Sequence, residues 1–482
     1  MEPKPSLLTE KEWSWERDRL LPDYDTSSDE KKRGISVVGT FFNFAKASIG
    51  SGSFALPWAI LKCGIVIGAA GTVLLGLLSV YTMQLLIECK QFISKELSQQ
   101  ERRTFNFTQL GKRALGEAGK WAVNLSVVGC NLGVCAAYMI FISNNLRWAF
   151  TCFGSVCFTT WEIYAIVLPI LILLTFLPSF RWLQFAAYIG SVFLVVAMLV
   201  VYVYGASNPY LPVACSAVVY MPPSWEGVAL WFGVTAFLFC VHSMVIPLES
   251  EMAEPRKMFF VLDMACIVVI GLNLPFALYG YFLFGQQTKG YVFENLSGGT
   301  FNNVVRILLS VELILTFPIV FKPASDIVEE VCFSVATRIN AVQGLNDQTA
   351  KTLKTQTIVL VCRCILRTLL VLVSWGVAVG IPRFEICLAL VGSLTATVLA
   401  FVLPPLFHII IKWHHIGVIK KSFHIMIVVF GIAATLLTTG VGLYNAITSP
   451  GSTTSCHEIN QYCAAKNVYP TVTDALCSKY NQ

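Results

Sequence analysis

Residues 43–57 read Asn43-Phe-Ala-Lys46-Ala-Ser48-Ile-Gly50-Ser51-Gly52-Ser53-Phe-Ala-Leu-Pro57, in the middle of an otherwise apolar segment. Two glycines two residues apart, flanked by serines and followed by proline, favour an unwound turn over a continuous helix. Backbone without helical hydrogen bonds is tolerated at bilayer depth only where protein buries it or a watery cavity receives it. A stripe of small residues for close helix packing is the alternative reading of Gly50 to Ser53. A second stretch decides between them. Residues 237–249 read Phe237-Leu-Phe239-Cys240-Val241-His242-Ser243-Met-Val-Ile-Pro247-Leu-Glu249, again polar in the middle of a span and closed by proline. The distance from Gly52 to Pro57 equals that from His242 to Pro247, five residues in each case.

The surroundings are membrane spans. Hydrophobic residues make up 56% of the 482-residue chain and charged residues 13%, where a soluble chain carries about 25% charged residues. This composition excludes a set of water-facing domains, and it is too apolar and aromatic for a disordered chain. A span needs about 20 apolar residues. Eleven such segments lie near 35–61, 64–88, 121–150, 161–178, 182–205, 226–248, 259–284, 302–324, 356–380, 383–411 and 422–448. Segment 4 is short and segment 10 long. The chain therefore divides into a polar tail (1–34), a transmembrane domain (35–448) and a second polar tail (449–482). The first tail is mixed in charge and has no apolar core of a signal peptide.

Lys and Arg set the orientation. With the N-terminus in the cytoplasm, 23 of the 34 fall on the cytoplasmic side and 5 on the other. An odd number of spans then places the C-terminus in the lumen or outside the cell. Cys152, Cys157, Cys215, Cys456, Cys463 and Cys477 all fall on that oxidising side, where disulfides stabilise tails with little core. Which of them pair is open. Asn295-Leu-Ser297 is a glycosylation sequon on the same side, whereas Asn106-Phe-Thr108 lies inside and Asn124-Leu-Ser126 within a span.

The two interrupted spans are the first and sixth, corresponding members of two five-helix halves. Paired interruptions of this kind point to a transport site between inverted repeats. A broken helix frees amides at one half's N-terminus and carbonyls at the other half's C-terminus, so it offers places for an anion and for a cation. A free amino acid carries both charges. His242 reads either as part of that site or as a core histidine bonded to backbone. Lys46 is expensive in a span unless partnered or near the interface. It reads as a coupling or gating cation, or as a lysine reaching up to the cytoplasmic face. Glu312 lies mid-span in segment 8, facing the bundle interior. Asp263, Arg363 and Arg367 lie near cytoplasmic span ends, with side chains expected at the headgroups. His414-His415 is a weak metal signature, and no metal or organic cofactor is expected. No Walker motif, HExxH or GxSxG is present, so an ion gradient, of protons or sodium, is the expected energy source. No basic run suits nucleic acid.

The segment from Asn43 to Gly64, the stretch MVIPLESEM (244–252) and the stretch LALVGSLTATVLAFVLPPLFH (388–408) together resemble the amino acid/auxin permease superfamily, most closely its proton-coupled amino acid transporter branch. The resemblance covers about residues 35–448. It implies an all-α LeuT-like fold of inverted five-helix repeats plus an eleventh helix, and transport of small neutral amino acids. By position, Ser48, Ile49, Gly50, Ser51, Gly52 and Ser53 would hold the substrate carboxylate. Phe239, Cys240, Val241, His242 and Ser243 would hold the ammonium and shape the side-chain pocket. Asn43, Lys46, His242 and Glu312 are the coupling candidates. The sequence departs from that branch in three places. Asn43 stands where a histidine is expected, Cys240 where an acid is expected, and loop 285–301 lacks a cysteine. His242 is similar to the sodium-coupled and plant branches. In the cytoplasmic tail, Glu16-Arg-Asp-Arg-Leu20-Leu21 fits an acidic dileucine sorting signal for an adaptor, and the resembled branch includes lysosomal members. The rival classes are an amino-acid sensor that signals through its tail, and a membrane-embedded enzyme, which the dispersed intramembrane acids hardly support.

Overall fold

The computed structural model describes residues 34–154, 158–177, 181–207, 218–296, 300–342 and 353–448. The described residues are helical almost throughout. Among these residues, eight helices are long and apolar enough to cross a membrane: Ile65–Ser94, Phe107–Thr151, Trp225–Glu251, Pro255–Gln287, Thr300–Cys332, Val359–Gly380, Phe384–Ile411 and Val418–Thr448. Thr160–Thr175 and Val192–Ser207 are shorter apolar helices. The first segment is split into α1 (Val37–Ser48) and α2 (Leu56–Cys63), joined by a tight 3-10 turn over Ser51–Ala55.

The remaining elements follow in order. They are α3 (Ile65–Ser94), α4 (Gln99–Thr104), α5 (Phe107–Gly154), α6 (Thr160–Thr175), α7 (Arg181–Ser207), α8 (Trp225–Leu238), α9 (His242–Glu251) and α10 (Met258–Phe284). After these come α11 (Thr300–Val342), α12 (Leu353–Gly380), α13 (Phe384–Val391), α14 (Leu403–Ile411) and α15 (Val418–Thr448). Local signals set the starts. Ser36 caps α1 by accepting the Gly39 amide at 3.1 Å. Thr159 and Glu162 form a capping box on α6, as Ser98 and Glu101 do on α4. α5 starts ahead of the expected residue 121 and turns at Leu115 and Gly116, where Gly116 takes a φ of 64°.

The long tenth segment is one helix with two wide π-type turns, Gly392–Ala396 and Val398–Val402, between α13 and α14. Pro404 and Pro405 have no amide hydrogen to give to the preceding turn, so the ladder there widens. Thr397 bridges the first wide turn by donating to the Gly392 carbonyl at 2.8 Å. This segment packs backbone to backbone on α8. A Cβ on Gly392 would overlap the Gly233 carbonyl, and one on Gly233 would lie 2.6 Å from the Ser393 hydroxyl.

Two cores flank the helix breaks. On the side assigned to the lumen, Phe54 sits 4.9 Å from Phe293, 6.0 Å from Phe276 and 6.1 Å from Phe141, ring centre to ring centre. Tyr291 and Phe384 extend this mostly edge-to-face cluster. Arg306 fastens the loop that brings Phe293 there, donating to the carbonyls of Phe293 (2.8 Å) and Leu296 (3.1 Å). On the opposite side, Phe44 of α1 joins Val80 and Met83 of α3, Val241 ahead of α9, Val245 of α9, and the start of α10. There the chain also forms a parallel β-bridge. Ile35 donates to the Glu251 carbonyl at 2.8 Å, and the Ala253 amide donates to the Ile35 carbonyl at 2.9 Å.

Several charges differ from their expected places. Lys90, counted with a cytoplasmic loop, lies inside α3 and is 2% exposed, paired with Glu249 of α9, itself 1% exposed. Arg363 and Arg367 share a protein partner. Both converge on Glu329, and Arg367 also donates to the Thr175 carbonyl at 2.7 Å. Asp263 accepts from Gln84 at 2.7 Å. His415 packs edge-on against Phe92, 5.0 Å between ring centres.

Candidate functional site

α1 ends because Ile49 and Gly50 are extended, with φ/ψ of −90°/100° and −138°/−165°. The Ile49 amide closes the last turn of α1 on the Ala45 carbonyl at 2.8 Å. The carbonyls of Ala47 and Ser48 are thus the last of a helix and the amides of Ser51 and Gly52 the first of a new turn, groups with no partner inside their own helix. The Ser48 hydroxyl donates back to the Phe44 carbonyl at 3.2 Å. The buried Ser53 hydroxyl has no protein partner. A Cβ on Gly52 would lie 3.0 Å from the Phe237 ring of α8, whereas one on Gly50 would enter open space.

The sixth segment breaks between Leu238 and His242. Phe239 and Val241 leave the helical region, with φ/ψ of −91°/2° and −110°/17°. The structure therefore has both interruptions within a few residues of the positions read from the sequence. It also brings them together: Phe44 and Ser48 of α1, Gly76 and Ser79 of α3, and Phe239 line one small cavity of about 10 Å³. That is room for about one water molecule, so a substrate requires the half-helices to part.

His242 is fully buried. Its Nε2 lies 3.0 Å from the Thr82 hydroxyl, which gives its own hydrogen to the Ser79 carbonyl at 2.9 Å. With the Thr82 hydrogen on Ser79, Nε2 donates to Thr82, and Nδ1 has no protein partner. The Thr235 hydroxyl on α8 is likewise buried and unmatched. Cys240 turns away from this cavity, its thiol 3.6 Å from the Ala396 carbonyl of the wide turn. Ser243, half-buried, starts α9 beside His242. Asn43 and Lys46 lie on α1 ahead of the break, both half-buried. Lys46 interacts electrostatically with Glu312 of α11.

Other expected site residues fall elsewhere. Asn295 faces the outer loop, its amide donating to the Gln287 carbonyl at 2.8 Å. Glu16, Leu20, Leu21, Cys157, Cys215, Cys456, Cys463 and Cys477 lie outside the described residues, as does the side chain of Cys152. The ten described cysteines are free thiols. Thr82 and Phe237 were not singled out by sequence, because neither residue type signals a site by itself.

The model of a family described as transmembrane amino acid transporter protein matches residues 33–448. The amino acid transporter ANT1 of Arabidopsis thaliana is 26% identical over 433 residues, covering 88% of this chain and 95% of that protein. The amino acid transporter AVT3C of the same plant is 28% identical over 416 residues, covering 82% and 88%. Among solved structures, the inward-facing conformation of Mhp1 matches with a TM-score of 0.50 at 13% identity, covering 89% of this chain and 95% of that one, a LeuT-like likeness of fold alone. The chain thus belongs to the transmembrane amino acid transporter family, the amino acid/auxin permeases, and is a multi-pass membrane protein of a transporter family and not an enzyme.

Proposed function

We propose that the protein is a secondary active transporter of small neutral amino acids, driven by a proton gradient and working by alternating access. In this reading it has eleven spans, five plus five in inverted repeat and one more, with the N-terminus in the cytoplasm and the C-terminus in the lumen of a lysosome-like compartment. The observation that carries it is the meeting of two helix breaks at one small cavity, with the unmatched Ser79 hydroxyl in its wall and further unmatched polar atoms on the broken segments. Buried polar groups in folded proteins are almost always paired. Ser53 Oγ, Thr235 Oγ1 and His242 Nδ1 lack protein partners, and a zwitterion at the breaks would supply them. The amides of Ser51 and Gly52 suit a carboxylate, while the carbonyl ends of α1 and α8, with His242 Nδ1, suit an ammonium. Sodium coupling is the second reading, favoured by Asn43 and Cys240 standing where the proton-coupled pattern has a histidine and an acid.

The test is flux through the reconstituted full-length protein, with proton and sodium gradients imposed separately. Alanine, glycine or proline should accumulate along the proton gradient. Absence of gradient-dependent flux for any of the common amino acids would overturn the transport reading, and tight binding without flux would turn it into a sensor.

A further inference from the structure

Glu312 is a carboxyl group at mid-span, 8% exposed. Its setting is built by three other elements and one neighbour on its own helix. Thr316, one turn along α11, donates its hydroxyl to Oε1 at 3.0 Å. Gly190 of α7 gives the carboxyl its seat. A Cβ at that position would overlap the Glu312 Cγ and lie 3.1 Å from both Cδ and Oε1. Tyr138 of α5 and Lys46 of α1 are the titratable groups that face it from the other packed elements.

A carboxylate at this depth is costly unless a cation stays with it or a proton neutralises it. The facing cation is not on a static element. Lys46 lies in the last turn of α1, two residues before Ser48, where the helix ends and the extended residues Ile49 and Gly50 begin. The substrate cavity lies at that same break, lined by Phe44 and Ser48. Whatever opens the cavity by moving the end of α1 also moves the ammonium relative to α11, which is packed on α5 and α7. Glu312 then loses its counter-charge at the moment the site is remade.

We propose that Glu312 is the proton carrier of the transport cycle and that Lys46 takes the proton's place. This rests on the transport reading above. In this cycle, while the end of α1 keeps Lys46 near Glu312, the carboxylate is ionised and Lys46 balances its charge. When the α1 end moves away, a proton from water on the side then open forms an O–H bond on the carboxyl group. When the end returns, that O–H bond breaks, the proton passes to water on the opposite side, and Lys46 pairs again. One proton crosses for each cycle, and no other reactant is consumed. Gly190 and Thr316 are positioning residues that hold the carboxyl within reach of α1.

The test uses full-length protein in liposomes with tritiated alanine, glycine and proline, and two assays. The first is accumulation driven by a proton gradient. The second is exchange against the same amino acid at equal pH on both sides, which needs no net proton movement. Glu312→Gln, neutral and of the same shape, is expected to lose accumulation entirely while keeping exchange, and that exchange no longer varies with pH. Glu312→Asp is expected to recover part of the accumulation. A Glu312→Gln protein that still accumulates substrate, or that loses exchange together with accumulation, would overturn the assignment. Accumulation that follows sodium in the wild type and loses its sodium dependence in Glu312→Gln would also overturn it, in favour of a metal-ion carrier. A wild-type protein with neither accumulation nor exchange would overturn the transport reading itself, and this inference with it.

Discussion

At the scale of single residues, Gly50 and Gly52 look interchangeable in the sequence and are not so in the structure. An added methyl at Gly50 enters open space, and Gly50 has an extended backbone that any residue adopts. Gly50→Ala should therefore fold and reach the membrane normally, while weakening transport of larger substrates before that of glycine. At Gly52 the first added carbon already lies 3.0 Å from Phe237. Gly52→Val should abolish flux, because its methyls meet that ring or the space of the substrate carboxylate. Comparing surface expression and KM for the two variants checks the pair, and full activity of Gly52→Val would refute the placement. Lys90 and Glu249 allow a test of a different kind. Both are almost fully buried, and Lys90 also reaches the Ile246 carbonyl at 3.4 Å. Removing one partner of a buried pair costs about 3–5 kcal/mol, whereas replacing both with apolar residues is often neutral. Lys90→Met should lower the Tm sharply, and adding Glu249→Leu should restore much of it. A double variant as unstable as the single one would show that the charges do more than neutralise each other.

At the scale of elements, the loop that carries Phe293 seals the aromatic cluster over Phe54, and Glu294 sits within it. Burial, helped by the nearby Glu385 charge, holds its carboxyl up at about 7, against the pull of Lys289, Arg306 and Arg383. The folded loop therefore keeps its proton more firmly than the unfolded chain. The stability this supplies is complete below the ordinary carboxyl value of 4.5 and fades as the pH rises through about 7. The wild-type Tm should fall between acidic and neutral pH, and Glu294→Gln should flatten that slope. An unchanged slope would remove Glu294 from the seal.

The seal also marks where sequence reading stops. The two helix breaks were legible because serine, glycine and proline carry their effect locally. The positions of the apolar segments were legible from length alone. The aromatic seal, the Lys90–Glu249 pair and the Gly190 seat under Glu312 were not. Each joins residues far apart in the chain. In a bilayer, moreover, a core-facing apolar residue and a lipid-facing one are equally apolar, so periodicity does not separate them. The wide turns of the tenth segment were seen only as excess length.

At the scale of the whole molecule, the two faces are closed by different means: polar pairing and a backbone bridge on one, a cluster of aromatic rings on the other. Such a division suits a protein whose two sides meet different solutions. The placement in a lysosome-like membrane has its own test. Replacing Leu20 and Leu21 with Ala should move the protein to the cell surface, as read by surface biotinylation. Unchanged internal residence would show that the dileucine is not the address.

The bridge between Ile35 and Met252 joins the entry of the first span to the exit of the sixth. Were α1 and α9 to swing independently, the molecule would pass through mixed states with one half open and the other shut. Those are the states in which solute and ions slip through without exchange for one another. In the proposed cycle, tying the two ends favours their concerted movement over the mixed states, so breaking this pairing is expected to raise uncoupled leak.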